Sequence, residues 1–139
     1  MKKAVVLFFG ILVLFSCTKA VHKGDLSKIN GYWEIEKVIL SDGEKKEYKI
    51  NETIDYFEIK NNNGFRKKVM PQLDGTYLTN NQSETITISQ DKDDFFLNYT
   101  TAYGKWKEQI LEISDDQLVL KNQQELEYHY KRQIPFSIK

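Results

Sequence analysis

Cysteine is almost missing from this chain of 139 residues, and the single one, Cys17, lies near its start. One cysteine excludes an intramolecular disulfide, a CxxC redox pair and a thiolate metal site, so stability has to come from packing. Histidine is nearly as scarce, with His22 and His129 alone. His22 falls in a polar leading segment. His129 stands between Tyr128 and Tyr130, out of phase with the apolar face, and reads as a solvated side chain beside Glu127 and Lys131. There is no nucleophile elbow, phosphate loop or His-Glu-x-x-His pattern, and no catalytic constellation is legible. No catalytic residue, metal ligand or cofactor is therefore assigned, and the chain reads as a non-enzyme. Proline occurs twice, and Pro71 stands where a strand should end. No Lys/Arg cluster of the kind that grips phosphate stands out, so nucleic acid is not an expected partner. No stretch sustains helical spacing over three turns.

What is present begins at the N-terminus. Lys2 and Lys3 precede an apolar run, Ala4 to Phe15, of the length of a signal h-region and too short to span a bilayer comfortably. The run stops at Leu14-Phe15-Ser16-Cys17, which resembles the lipobox of bacterial lipoproteins. That resemblance implies cleavage before Cys17 and lipidation of its sulfur, with residues 1–16 as the signal peptide. Phe15 departs from the smaller residue usual at its position. Loss of Lys2 and Lys3 with the leader leaves 18 of the 20 basic side chains against 20 acidic ones, a slightly acidic mature chain. Thr18 after the cysteine, in place of Asp, and the lack of an acidic run beyond it imply an outer-membrane protein facing the periplasm. Residues 17–28 are polar, without apolar period, and read as a lipidated tether. Residues 29–139 have the length of one domain.

From Ile29 onward, short apolar alternations are separated by turn signals. Trp33, Ile35 and Ile39 alternate before Ser41-Asp42-Gly43, and residues 44–50 form a charged second strand. Phe57 and Ile59 share a face ahead of Asn62-Asn63-Gly64, a strong hairpin signal. Phe65 and Val69 follow. Ile86 with Ile88, then Phe95, Leu97 and Tyr99, then Trp106, Ile110 and Ile113 repeat the pattern. Leu118 with Leu120, and Leu126 with Tyr128 and Tyr130, close the series. This predicts an all-β fold, an antiparallel up-and-down meander of about eight to ten strands closed into a small barrel. Asp91, Asp93 and Asp94 read as a solvated turn. Glu108 and Glu112 are expected on the face of Trp106 and Ile110, either as a carboxylate pair for acid–base work or as a solvent-facing edge.

Gly31-Tyr32-Trp33 opens the first strand. A glycine one residue before a tryptophan at that place resembles the Gly-x-Trp signature of lipocalins, and the layout of residues 29–132 resembles the small lipocalin-like lipoproteins of Gram-negative bacteria. In that family an arginine near the last strand lies across the tryptophan and closes the barrel, which implies Arg132 here. It is in phase with Tyr128 and Tyr130. The Thr-Asp-Tyr motif and the C-terminal helix of lipocalins proper are missing. Two roles stay open. Phe57, Ile59, Phe65, Val69, Ile86, Ile88, Phe95, Leu97 and Tyr99 line a cavity for a small apolar ligand, or they pack on one another. In the second case the protein is an envelope interaction partner, an accessory subunit or an enzyme inhibitor, using its charged second strand and outward Tyr32 and Tyr56.

Overall fold

The computed structural model describes residues 20–136. The signal peptide read at 1–16 and Cys17 lie outside them. Ten antiparallel strands form one sheet: β1 (Gly31–Ile39), β2 (Lys45–Glu47), β3 (Ile54–Lys60), β4 (Asn63–Pro71), β5 (Tyr77–Thr79), β6 (Glu84–Asp91), β7 (Asp94–Thr101), β8 (Gly104–Ile113), β9 (Gln117–Asn122) and β10 (Glu127–Arg132). Eight of them follow one another around the sheet, and β10 returns to pair with β1, so the meander closes into a barrel. The two short strands are additions: β2 pairs with the end of β1 and β5 with the end of β4. Closure gives both edge strands a partner, which removes exposed ladder groups.

The tight turns divide the barrel into two ends. The β3–β4, β6–β7 and β8–β9 turns lie at one end, and the β7–β8 and β9–β10 turns at the other, with the two long connections. The β3–β4 turn is made by Asn61 and Asn62, both at positive φ, two residues earlier than the Asn63-Gly64 pair that the sequence suggests. Asparagine tolerates this conformation, and it is what a two-residue hairpin loop requires. Gly64 serves a different need. It faces Ile59 inside the hairpin, where a β-carbon would lie 1.8 Å from the Glu58 carbonyl oxygen.

Two β-bulges change the phase of the alternation. One lies between Ile35 and Lys37, so Val38, not Ile39, takes the face of Trp33 and Ile35. The other lies between Ile110 and Glu112. It turns Ile113 inward opposite Leu118 and leaves Glu112 exposed opposite Val119. Glu108 and Glu112 therefore do not share a face, because the extra residue in β8 flips every side chain beyond it.

Residues 23–28, read as part of a tether, are structured. Lys23–Ile29 forms a 3₁₀ helix that buries Leu26 and Ile29 against the barrel. Its opening is held by the His22 backbone N–H, which donates to Asp25 Oδ2 at 3.2 Å. The helix plugs the end marked by the β8–β9 turn. Above it Trp33, Phe57, Ile86, Leu97, Leu118 and Leu120 are wholly buried and form the centre of the core. No helix among the described residues is long and apolar enough to cross a membrane.

Candidate functional site

The closed end is built around Trp33 and Arg132. Their strands pair in register, and the guanidinium carbon lies 4.2 Å from the indole centroid. The indole N–H donates to the Ile29 carbonyl at 2.7 Å. Arg132 donates from Nη1 to the Asn30 carbonyl at 2.9 Å, from Nη2 to the Lys28 carbonyl at 2.5 Å, and from Nε to the Asp115 carbonyl. One side chain thus ties the 3₁₀ helix, the β8–β9 turn and the last strand together. A guanidinium over an indole adds about 0.5–2 kcal/mol, depending on desolvation. Gly31 makes room for it: its φ is +120°, and a β-carbon there would meet Arg132 Nη1 at 2.7 Å. This end is a structural closure.

Of the nine residues read as cavity lining, Phe57, Ile86, Phe95, Leu97 and Tyr99 belong to the core cluster, and Ile59 and Ile88 pack against it. Phe65 and Val69 do not point inward. A two-residue hairpin pairs odd positions with even ones, so an inward Phe57 and Ile59 demand an inward Arg66 and Gly64. Phe65 lies outside, opposite Glu58, with its ring 6.1 Å from Tyr56 and Lys67 Nζ 5.2 Å above it. Val69 pairs with Ile54, and both are buried outside the main core. On the same outer face, Tyr32 stacks on Tyr77 at 3.8 Å and meets Tyr56 at 4.8 Å.

The inward face of β4 therefore carries charge, answered by Glu84 on neighbouring β6 and by Glu108 on β8. Arg66 grips Glu84 with both arms, Nε to Oε1 at 3.0 Å and Nη2 to Oε2 at 2.8 Å. Its Nη1 donates to the Tyr99 hydroxyl at 3.3 Å and to Glu108 Oε1 at 3.4 Å. The guanidinium also lies over the Tyr99 ring at 4.4 Å. Burial works against the charge of Arg66, yet Tyr99, Glu84 and Asp55 hold it above its ordinary value. Glu108 is buried, and desolvation pushes its carboxyl up against the pull of Arg66. Tyr99 and Tyr130 are pushed well above the usual phenol range, first by burial. Asp55, 3 % exposed, stands opposite Lys68, whose Nζ lies 2.5 Å from Oδ1. The Tyr130 hydroxyl lies against the same carboxylate, which helps to hold its proton.

Free volume lies beside this network, on the side of the barrel away from the Arg132 closure. One cavity of about 240 Å³ is bounded by Asp55, Arg66, Lys68, Trp106, Glu108, Asn122, Tyr128 and Tyr130. A second, of about 230 Å³, shares Asp55, Lys68, Tyr128 and Tyr130 and extends to Trp33, Val38 and Tyr48. None of the nine predicted lining residues bounds either one. Sequence reading missed Asp55, Arg66 and Lys68 because alternation was scored by apolarity alone. Hairpin parity was the signal that could have found them. Among the described residues no group of three His, Cys, Asp or Glu side chains converges to hold a metal ion.

A family model described as a lipocalin-like domain matches residues 29–120. The chain belongs to the lipocalin-like domain family. A solved structure of a lipocalin-like protein from Bacteroides uniformis ATCC 8492 is similar, with a TM-score of 0.48 and 10% identity. The match covers 76% of this chain and 99% of that one. No curated protein matches the chain. In this lipocalin-like domain the apolar part of the lumen is occupied by its own side chains, while the open part combines aromatic walls with buried ionised groups. Such a surface suits a small molecule with both an apolar body and a polar head.

Proposed function

We propose that this lipocalin-like protein is a lipid-anchored, non-catalytic binding protein of the bacterial envelope that holds one small amphipathic molecule at the mouth of its barrel. The observation that carries the reading is the pair of adjoining cavities around Asp55, Lys68, Tyr128 and Tyr130. Each alone falls just short of the small-ligand range, about 300–1,000 Å³, and the two together reach into it. The family assignment favours binding over catalysis. The wholly apolar ligand expected from the alternation fits less well, because the residues expected to receive it pack on one another or face outward. Lipidation at Cys17 and placement at the outer membrane, facing the periplasm, rest on the N-terminal sequence.

Native mass spectrometry of the full chain, extracted gently from its own host, tests the ligand. A reproducible small-molecule adduct lost on denaturation is the expected result, and a clean apo mass overturns it. The filled core favours a second reading, an envelope interaction protein with no ligand. Crosslinking of the lipidated protein in the envelope to one defined partner, together with a clean apo mass, would establish that alternative.

A further inference from the structure

We propose that the mouth is a site for a small organic cation, an arylalkyl primary amine whose ammonium group takes the place of Lys68 against Asp55. The inference rests on the ligand-binding reading above and names the chemistry of the ligand. Asp55 is the centre of the argument. It is 3 % exposed, borders both cavities, and its Oδ1 accepts no hydrogen bond. A buried carboxylate is expensive unless a cation pairs with it, so the position favours a cation at Oδ1. Among the described residues that cation is the Lys68 ammonium at 2.5 Å, with the Tyr130 hydroxyl beside the carboxylate. Lys68 is poorly held: its side chain is 61 % exposed, and a long flexible stem can swing outward. A primary ammonium already occupies the place that a ligand's ammonium would take.

Charge and shape select against the other ligand classes. An anion finds the donors of Arg66 committed to Glu84, Tyr99 and Glu108, and could take Lys68 only by leaving Asp55 buried without its cation. Around the lumen, Asp55, Glu84 and Glu108 outnumber Arg66 and Lys68 by one charge. A metal ion would need further oxygen ligands that do not converge on Asp55. The walls beside Asp55 are Tyr128 and Tyr130, with Trp106 on one flank and Tyr48 on the other. Aromatic walls around a carboxylate attract a desolvated ammonium and pack an aryl body.

Isothermal titration calorimetry on the full chain tests this with three probes of similar size: 2-phenylethylamine, neutral 2-phenylethanol and anionic phenylacetate. The amine is expected to bind at least about tenfold more tightly than either of the others. Asp55→Asn should erase that preference, and Lys68→Ala should strengthen amine binding several-fold by removing the internal competitor. Should Asp55→Asn fail to fold, Lys68→Ala and Lys68→Met, both at an exposed position, still decide the matter. Equal or tighter binding of the alcohol or the acid overturns the cation inference and leaves the ligand-binding reading standing. So does an amine affinity unmoved by Lys68→Ala. If none of the three binds, the inference is overturned, and a clean native mass would then remove the broader reading as well.

Discussion

At the scale of single residues, Gly31 and Arg132 act as one device. The guanidinium reaches three backbone carbonyls only because position 31 has no side chain and adopts φ +120°. Gly31→Ala imposes strain and a clash with Nη1 together, and should destabilise the fold by about 1–3 kcal/mol. Urea unfolding followed by tryptophan fluorescence measures it. Glu108 makes a second prediction. Burial, against the pull of Arg66, leaves its folded carboxyl above the ordinary value of 4.5. The folded chain then holds the proton more tightly than the unfolded one. The stability tied to that proton is fully present below 4.5 and is lost as pH rises through the folded value. Glu108→Gln removes the titration, so the stability of the variant relative to the wild type should rise between about pH 4 and about pH 7. Chemical denaturation at both pH values checks the sign. Trp33 and Arg132 were legible in the sequence through the resemblance to the Gly-x-Trp signature, supported by the phase of Arg132 with Tyr128 and Tyr130. Arg66 and Lys68 leave no mark in the apolar pattern, although the hairpin signal beside them fixes their parity.

At the scale of elements, alternation located the strands well and placed their faces less well. Adjacent apolar pairs are the reason. Val38-Ile39 and Ile110-Leu111 each satisfy either phase, so a bulge can shift the strand without leaving a mark in the pattern. The leading segment misled in another way. Seven residues, Lys23–Ile29, hold just two buried apolar side chains, too few to show a period. Those two nevertheless seal the barrel. Ile29 is wholly buried and its carbonyl receives the Trp33 indole N–H. Ile29→Ala should cost about 2–4 kcal/mol through lost contacts and a residual cavity, measurable by the same urea titration. A much smaller cost would mean that the helix is an ornament on a barrel already closed by Arg132.

At the scale of the molecule, closure was readable because short links between strands force neighbours in sequence to be neighbours in the sheet, leaving only the two ends to meet. The ionic network at the mouth was not readable. Arg66 finds Glu84 and Glu108 across 18 and 42 residues of chain, and only the three-dimensional register brings them together. The place where the chain joins the barrel has its own consequence. Val21 packs against the core, and the 3₁₀ helix that follows seals the Arg132 end. Only three residues, Thr18, Lys19 and Ala20, stand between Cys17 and Val21, so the mooring line of four residue steps reaches at most about 14 Å. With Cys17 lipidated, so short a line holds the barrel base-down on its own bilayer and turns the mouth toward the opposite side of the compartment. The molecule would then sample what arrives from that compartment, and its own membrane would be out of reach. A fluorophore at the exposed tip of the β7–β8 turn, Tyr103→Cys, should escape a quencher in the bilayer. The same label at Asp93→Cys, in the turn at the other end, should be dimmed.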